Sequence, residues 1–174
     1  MLIAALIGVG CSSFSGSDSS RSITVRRGLA RNLLISPKVS LATFHVSGRR
    51  DTATALDNMR QAAAGRPSRR SYYQRAPGGA ILLDNRMLRA MKTLEKEGYT
   101  FRVTEIAGGS HSRKSRHYLG TAFDVDYING MKVGWSNPYY RRFLRRCREL
   151  GATEIRGPGD PGHRTHVHAA WPRR

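Results

Sequence analysis

The sequence predicts an α+β fold. Segments with helical period and clear stop signals occur beside short segments rich in β-formers, and the two kinds follow one another without strand–helix–strand regularity. At 174 residues, 39% hydrophobic and 24% charged, the chain can fill one core and still carry an N-terminal extension.

Residues 1–10 (MLIAALIGVG) form an uncharged apolar run that ends before Cys11 and is followed by SSFSGSDSS. Small residues before a cysteine, then serines, read as a secretory or lipoprotein leader and a flexible linker over 1–20, with Cys11 as the candidate lipid anchor. A membrane-spanning helix needs about 20 apolar residues, so this run is too short for one. The expected location is the cell envelope or the exterior, reached through that leader. The two cysteines, Cys11 and Cys147, form no CxxC pair, which argues against a thiolate zinc site.

Residues 21–75 are basic and weakly periodic and read as an N-terminal extension to a domain over 76–174. Within it, 51–64 (DTATALDNMRQAAA) has the pattern of a helix, with Asp51 as N-cap and Gly65 as stop. The stretch GRPSRRSYYQR reads as a linker or an anion-binding loop. Its Tyr72–Tyr73 pair either packs on the domain or stacks on sugars or bases.

The C-terminal part is better specified. Asp84 caps a helix over 84–97 with Met87, Leu88, Met91 and Leu94 on one face and Gly98 at its stop. Residues 99–106 alternate as a strand, 107–118 are a polar loop, and 121–127 are a second strand. Asn137-Pro138 opens a helix to residue 150 that turns Phe143, Leu144 and Cys147 inward. Arg141, Arg142, Arg145 and Arg146 form its solvated face. Short strands over 153–155 and 166–170 complete the series.

The formal net charge is +18 and the pI about 11.2. Such an excess calls for an anionic partner: nucleic acid, an acidic membrane face, or an acidic polymer such as cell wall.

Histidine placement is more selective. Three of the six histidines fall within GHRTHVHAAW, at 163, 166 and 168, and two more at 111 and 117. Neutral imidazole is the commonest zinc ligand, and metal binding gives such clustering a reason. His117 and Asp124 are too far apart on one straight helix or strand to share an ion, and a reversal at Gly120 would bring them together. Ala122, Asp124 and Asp126 would then face one side of the following strand, with Phe123, Val125 and Tyr127 in the core. A strand through His166 and His168 would put both on one face, and either or both could ligate. Two histidines and a carboxylate leave a position for water, as in catalytic rather than structural zinc sites.

Ser115-x-His117-x-x-Gly120-x-Ala122-x-Asp124, followed by His166-x-His168, resembles the signature of zinc D-Ala-D-Ala carboxypeptidases and murein endopeptidases. That superfamily includes the vancomycin-resistance dipeptidases, phage L-alanyl-D-glutamate endolysins and the Hedgehog signalling domain. The resemblance covers roughly residues 84–171. It implies a Hedgehog/DD-peptidase-like fold, a small antiparallel sheet with flanking helices. It implies one Zn2+ on His117, Asp124 and His168, substrate contact at Ser115, and hydrolysis of peptidoglycan stem or cross-link peptides by a monomer. Many relatives carry an acidic general base three residues before the last ligand; here that residue is Thr165. Another branch has a histidine five before it, where His163 stands. His163 as base and His166 as oxyanion stabiliser are the resulting expectation, with Glu105 and Asp160 as alternatives.

Other residues have two readings each. His45 is isolated and reads as a surface or core histidine. His111 is a structural loop residue or a hydrogen-bonding neighbour of the site, and Asp126 orients a ligand or caps its strand. Two other functions stay open: a non-catalytic zinc-containing wall-binding module, which the missing acidic base would suit, and a basic nucleic-acid-binding protein, suggested by charge alone.

Overall fold

The computed structural model describes residues 15–173; the apolar leader and Cys11 lie outside the described residues. The order is α1 (Ser15–Leu34), β1 (Val39–Leu41), α2 (Ala55–Ala63), β2 (Ser68–Arg69), β3 (Ala80–Ile81), α3 (Asn85–Lys96), β4 (Phe101–Glu105), a 3-10 turn (Arg116–Leu119), β5 (Ala122–Ile128), β6 (Met131–Lys132), α4 (Tyr140–Glu149), β7 (Glu154–Arg156) and β8 (Val167–Ala170). The α+β class stands. No helix among the described residues is long and apolar enough to cross a membrane.

The main sheet runs β1-β4-β5-β8-β7, with β6 hairpinned onto β5. Asn129 and Gly130 make that hairpin turn at φ 51° and 77°, the left-handed pair such turns require. The sheet is mixed rather than antiparallel. β1 joins β4 in parallel, with Val39 beside Phe101, because the chain reaches the edge of β4 from α1 and not by a hairpin.

The N-terminal half corrects three expectations. The Ser-rich segment after residue 14 is helical, not a linker, since α1 begins at Ser15. Residues 21–75 are not an appendage: Ala30, Leu33 and Met59 share one buried cluster with Met91, Phe123 and Trp171, and α1 packs on α2 and α3. The helix expected from Asp51 starts at Ala55, capped by the Thr54 hydroxyl, which accepts from the Asp57 amide. Asp51 is held instead by His45 and by the amide of Ala53.

The C-terminal elements follow their patterns. Asp84 accepts from the Arg86 amide to cap α3, which buries Met87, Leu88, Met91 and Leu94. α4 starts at Tyr140 rather than Asn137, because the buried Asn137 amide donates to the carbonyl oxygen of Met131 and its Oδ1 accepts from Tyr139. Phe143 and Cys147 are inward as expected. Arg146 departs from the purely solvated face, pairing with Glu97 and Glu149.

Candidate metal centre

Three elements converge at one end of β5. Ser115 caps the 3-10 turn by accepting the His117 amide at 3.3 Å. Gly120 ends that turn at φ 66°, and a Cβ there would stand 2.8 Å from the Leu82 carbonyl oxygen. Only glycine fits both the left-handed backbone and the close approach. The chain then reverses into β5, and the antiparallel register of β5 and β8 sets Asp124 directly across from His168. That cross-strand pairing selects the second histidine of the HxH pair.

The donor atoms meet closely. His117 Nε2 lies 3.1 Å from Asp124 Oδ1 and 3.1 Å from His168 Nδ1, and His168 Nδ1 is 2.8 Å from Asp124 Oδ1. A tetrahedral zinc with bonds of about 2.0–2.1 Å separates its ligand atoms by about 3.3 Å, so these three can share an ion with little movement. Proton accounting points the same way. His117 Nδ1 donates to the Ile106 carbonyl at 2.7 Å, which leaves Nε2 of the neutral ring a bare lone pair. With both rings neutral these three atoms share at most one hydrogen, from His168. A proton on His117 or a metal cation relieves that shortage, and the Ile106 bond supplies the orienting contact that ligand histidines usually have.

Electrostatics of the site reflect the same crowding. Burial works against the His117 imidazolium, but the charge and hydrogen bond of Asp124 outweigh it and raise its pKa. Burial also works against the Asp124 carboxylate, yet His117 and His168 hold it well below the usual range. His111 is pushed down to about 3 by burial and by His117.

Of the other expected residues, His166 has its Nε2 3.9 Å from Asp124 Oδ2, just before β8 rather than within it. Burial lowers its pKa, so the ring stays neutral at neutral pH. The His163 ring packs against it at a tilt of 42°, ring centroids 4.8 Å apart, and donates from Nδ1 to the Pro161 carbonyl at 2.8 Å. Ser115, His163 and His166 all line the cleft. Asp126 is not part of the site: it binds Arg102 across the sheet. Asp160 accepts from the Gly157 amide and so braces its own loop.

His111 lies nearer the chemistry than a plain loop residue. One donor atom each from His111, His117 and Asp124 falls within 4.8 Å of the others. The donor atoms of His117, Asp124 and His168 lie closer together, within 3.1 Å. Sequence reasoning also missed a buried cluster beside the site. His45 is 1% exposed and sits between Glu105 and Asp51, 2.8 Å from each. Burial disfavours its charge, but the two carboxylates raise its pKa to about 9. Glu105 is therefore engaged by an imidazolium. Asp51 is only 6 positions from His45, but Glu105 is 60 away, and no local pattern announces that pairing.

The cleft over the donors holds ≈ 570 Å³, and Lys114, Arg116, Arg156 and Arg173 add positive charge to its walls, with Glu154 opposing. A smaller cavity of ≈ 280 Å³ shares His111, Asp124 and His166 and continues toward Tyr73 and Ser47. The donor set thus stands between two cavities. A third cavity, also ≈ 570 Å³, lies beside α4 with Arg142, Arg145 and Arg146, and its lining includes none of these donors. Volume alone does not choose the site; the convergent donors do.

Comparison with protein families, curated proteins and solved structures finds no match to this chain. What the site does therefore rests on its own geometry and on the motifs.

Proposed function

We propose that this cleft hydrolyses peptide bonds in peptidoglycan stem or cross-link peptides, with one zinc ion held by His117, Asp124 and His168. The single observation carrying the proposal is the approach of those three donor atoms to within 3.1 Å. The two motifs occur in the order found in zinc D-Ala-D-Ala peptidases and murein endopeptidases, and a Hedgehog/DD-peptidase-like arrangement is part of this reading.

Bound zinc would supply Lewis-acid polarisation of a peptide carbonyl and a nucleophile at neutral pH. The chain supplies the rest. With its Nδ1 hydrogen on Pro161, His163 keeps Nε2 open to accept the proton of the attacking water. His166, neutral and directed toward the Asp124 side of the cleft, donates to the oxygen that becomes negative. Ser115 spends an oxygen lone pair on the His117 amide and retains its hydroxyl hydrogen for substrate. Lys114, Arg156 and Arg173 draw the free carboxylates of a stem peptide to the cleft.

Digestion of purified sacculi, with products resolved by mass, tests the proposal. Soluble muropeptides shortened at a peptide bond, and their loss after chelation, are expected. Zinc-loaded protein that binds sacculi but releases nothing would instead be a wall-binding module, a reading that Thr165 in place of an acidic base favours.

A further inference from the structure

Trp135 is the bulkiest side chain left in solvent, at 63% exposure. It stands on a turn closed by the Asn137 amide donating to the Gly134 carbonyl at 3.1 Å. The turn is pinned from below. Asn137 is 1% exposed and donates to the Met131 carbonyl at 3.0 Å, and the Val133 amide donates to the Asp126 carbonyl at 2.8 Å. On the other side Gly159 has φ 113°, and a Cβ there would lie 3.1 Å from the indole. The ring thus lies against a glycine with much of its surface outward, and the Arg141 guanidinium stands 6.0 Å from its centroid, leaving the indole a cation on one side. Beside it opens a cavity of ≈ 540 Å³ lined by Lys132, Gly134, Ser136, Arg164 and Thr165. Arg164 and Thr165 stand in the chain between His163 and His166, which line the cleft over the His117, Asp124 and His168 donors, so the two cavities have adjoining walls.

We propose that Trp135 is the stacking platform of a glycan subsite that takes a chain of N-acetylated amino sugars. A pyranose offers a flat face of C–H groups and a rim of hydroxyls and amides. The indole covers the first. The Ser136 and Thr165 hydroxyls and the Arg164 and Lys132 cations answer the second. A platform already held by the Asn137 turn and by its contact with Gly159 has little ordering left to lose on binding. The choice of glycan rests on the wall-peptidase reading; the platform itself does not.

Tryptophan emission tests this. The chain has two tryptophans, and Trp171 is 1% exposed with its indole N–H on the Leu150 carbonyl at 3.0 Å. Red-edge emission therefore reports Trp135, and blue-edge emission reports the folded core. Full-length protein, metal-loaded and chelated, is titrated with the N-acetylglucosamine tetramer, which has no scissile peptide bond. A saturable red-edge change in both forms is expected. Calorimetry should find binding at least about tenfold weaker in Trp135→Ala, and weaker also in Arg164→Gln, with blue-edge emission unchanged. The subsite is overturned by no saturable change, by undiminished binding in both variants, by a tighter response to oligothymidylate, or by a dimer in sedimentation that Trp135→Ala dissociates. Absent zinc or absent peptide cleavage with the titration intact would overturn the peptidase reading and leave the subsite standing.

Discussion

His111 lies flat against His117, ring centroids 3.9 Å apart and planes at 10°. Both rings are tied to the end of β4: His111 Nε2 donates to the Gly108 carbonyl at 3.0 Å and His117 Nδ1 to the Ile106 carbonyl at 2.7 Å. The stack braces the buried His117 ring from the loop side.

This separates two ligand sets by experiment. Purified protein should hold about one equivalent of zinc. His168→Ala and His117→Ala should lose most of it, while His111→Ala should keep near-stoichiometric metal with affinity lower by about 10- to 100-fold, the scale of losing a supporting contact. Full zinc in His168→Ala with loss in His111→Ala would move the third ligand to His111.

The base is tested by paired substitution with metal content checked. His163→Ala should retain zinc and lower kcat by about 100-fold or more. Near-normal kcat in His163→Ala would pass the role to His166.

How much of this was legible in the chain differs by residue. His117, Gly120 and Asp124 are close in sequence, so a local pattern carries their geometry. His168 is selected by strand register, which motif spacing implied but did not determine. The burial of α1 was hidden. Arg26, Ala30 and Leu33 repeat at helical spacing, but an arginine occupies the stripe, and its guanidinium reaches the Leu83 carbonyl at 2.6 Å. Part of the charge that made residues 21–75 look like an appendage, Arg21, Arg26, Arg27 and Arg31, sits on a helix whose other residues reach the core. The His45 cluster was illegible because Glu105 is 60 positions away.

His45 gives a pH signature. Its folded pKa is raised from 6.5 to about 9, so its stabilising contribution is full below pH 6.5 and is lost as pH rises through about 9. Asp51 is 28% exposed, and solvent screening limits the contribution to at most on the order of 3 kcal/mol. Urea melts should show wild type losing stability between pH 6.5 and 9.5, and His45→Leu losing much less over that range. At pH 6 the variant should be weaker by about 3 kcal/mol, because it leaves buried carboxylate unpaired. Parallel pH dependences in the two proteins would remove His45 as the source.

Truncation tests whether the N-terminal half belongs to the domain. Deleting residues 12–70 removes Leu33 and Met59 from the core, and the remaining chain should fail to fold, losing peptide hydrolysis and wall binding together. Leu33→Ala should destabilise by about 2–5 kcal/mol. A truncated protein with a cooperative thermal transition would restore the appendage reading.

The parallel seam between β1 and β4 also sets a timetable for the growing polypeptide. Val39 leaves the ribosome long before its partner Phe101 exists, and no nearer strand can stand in for β4 in the main sheet. Until then α1 and β1 are a basic segment with an unanswered apolar stripe, exposed to holdases and proteases during synthesis. Assembly that must wait for so distant a contact is slow to close.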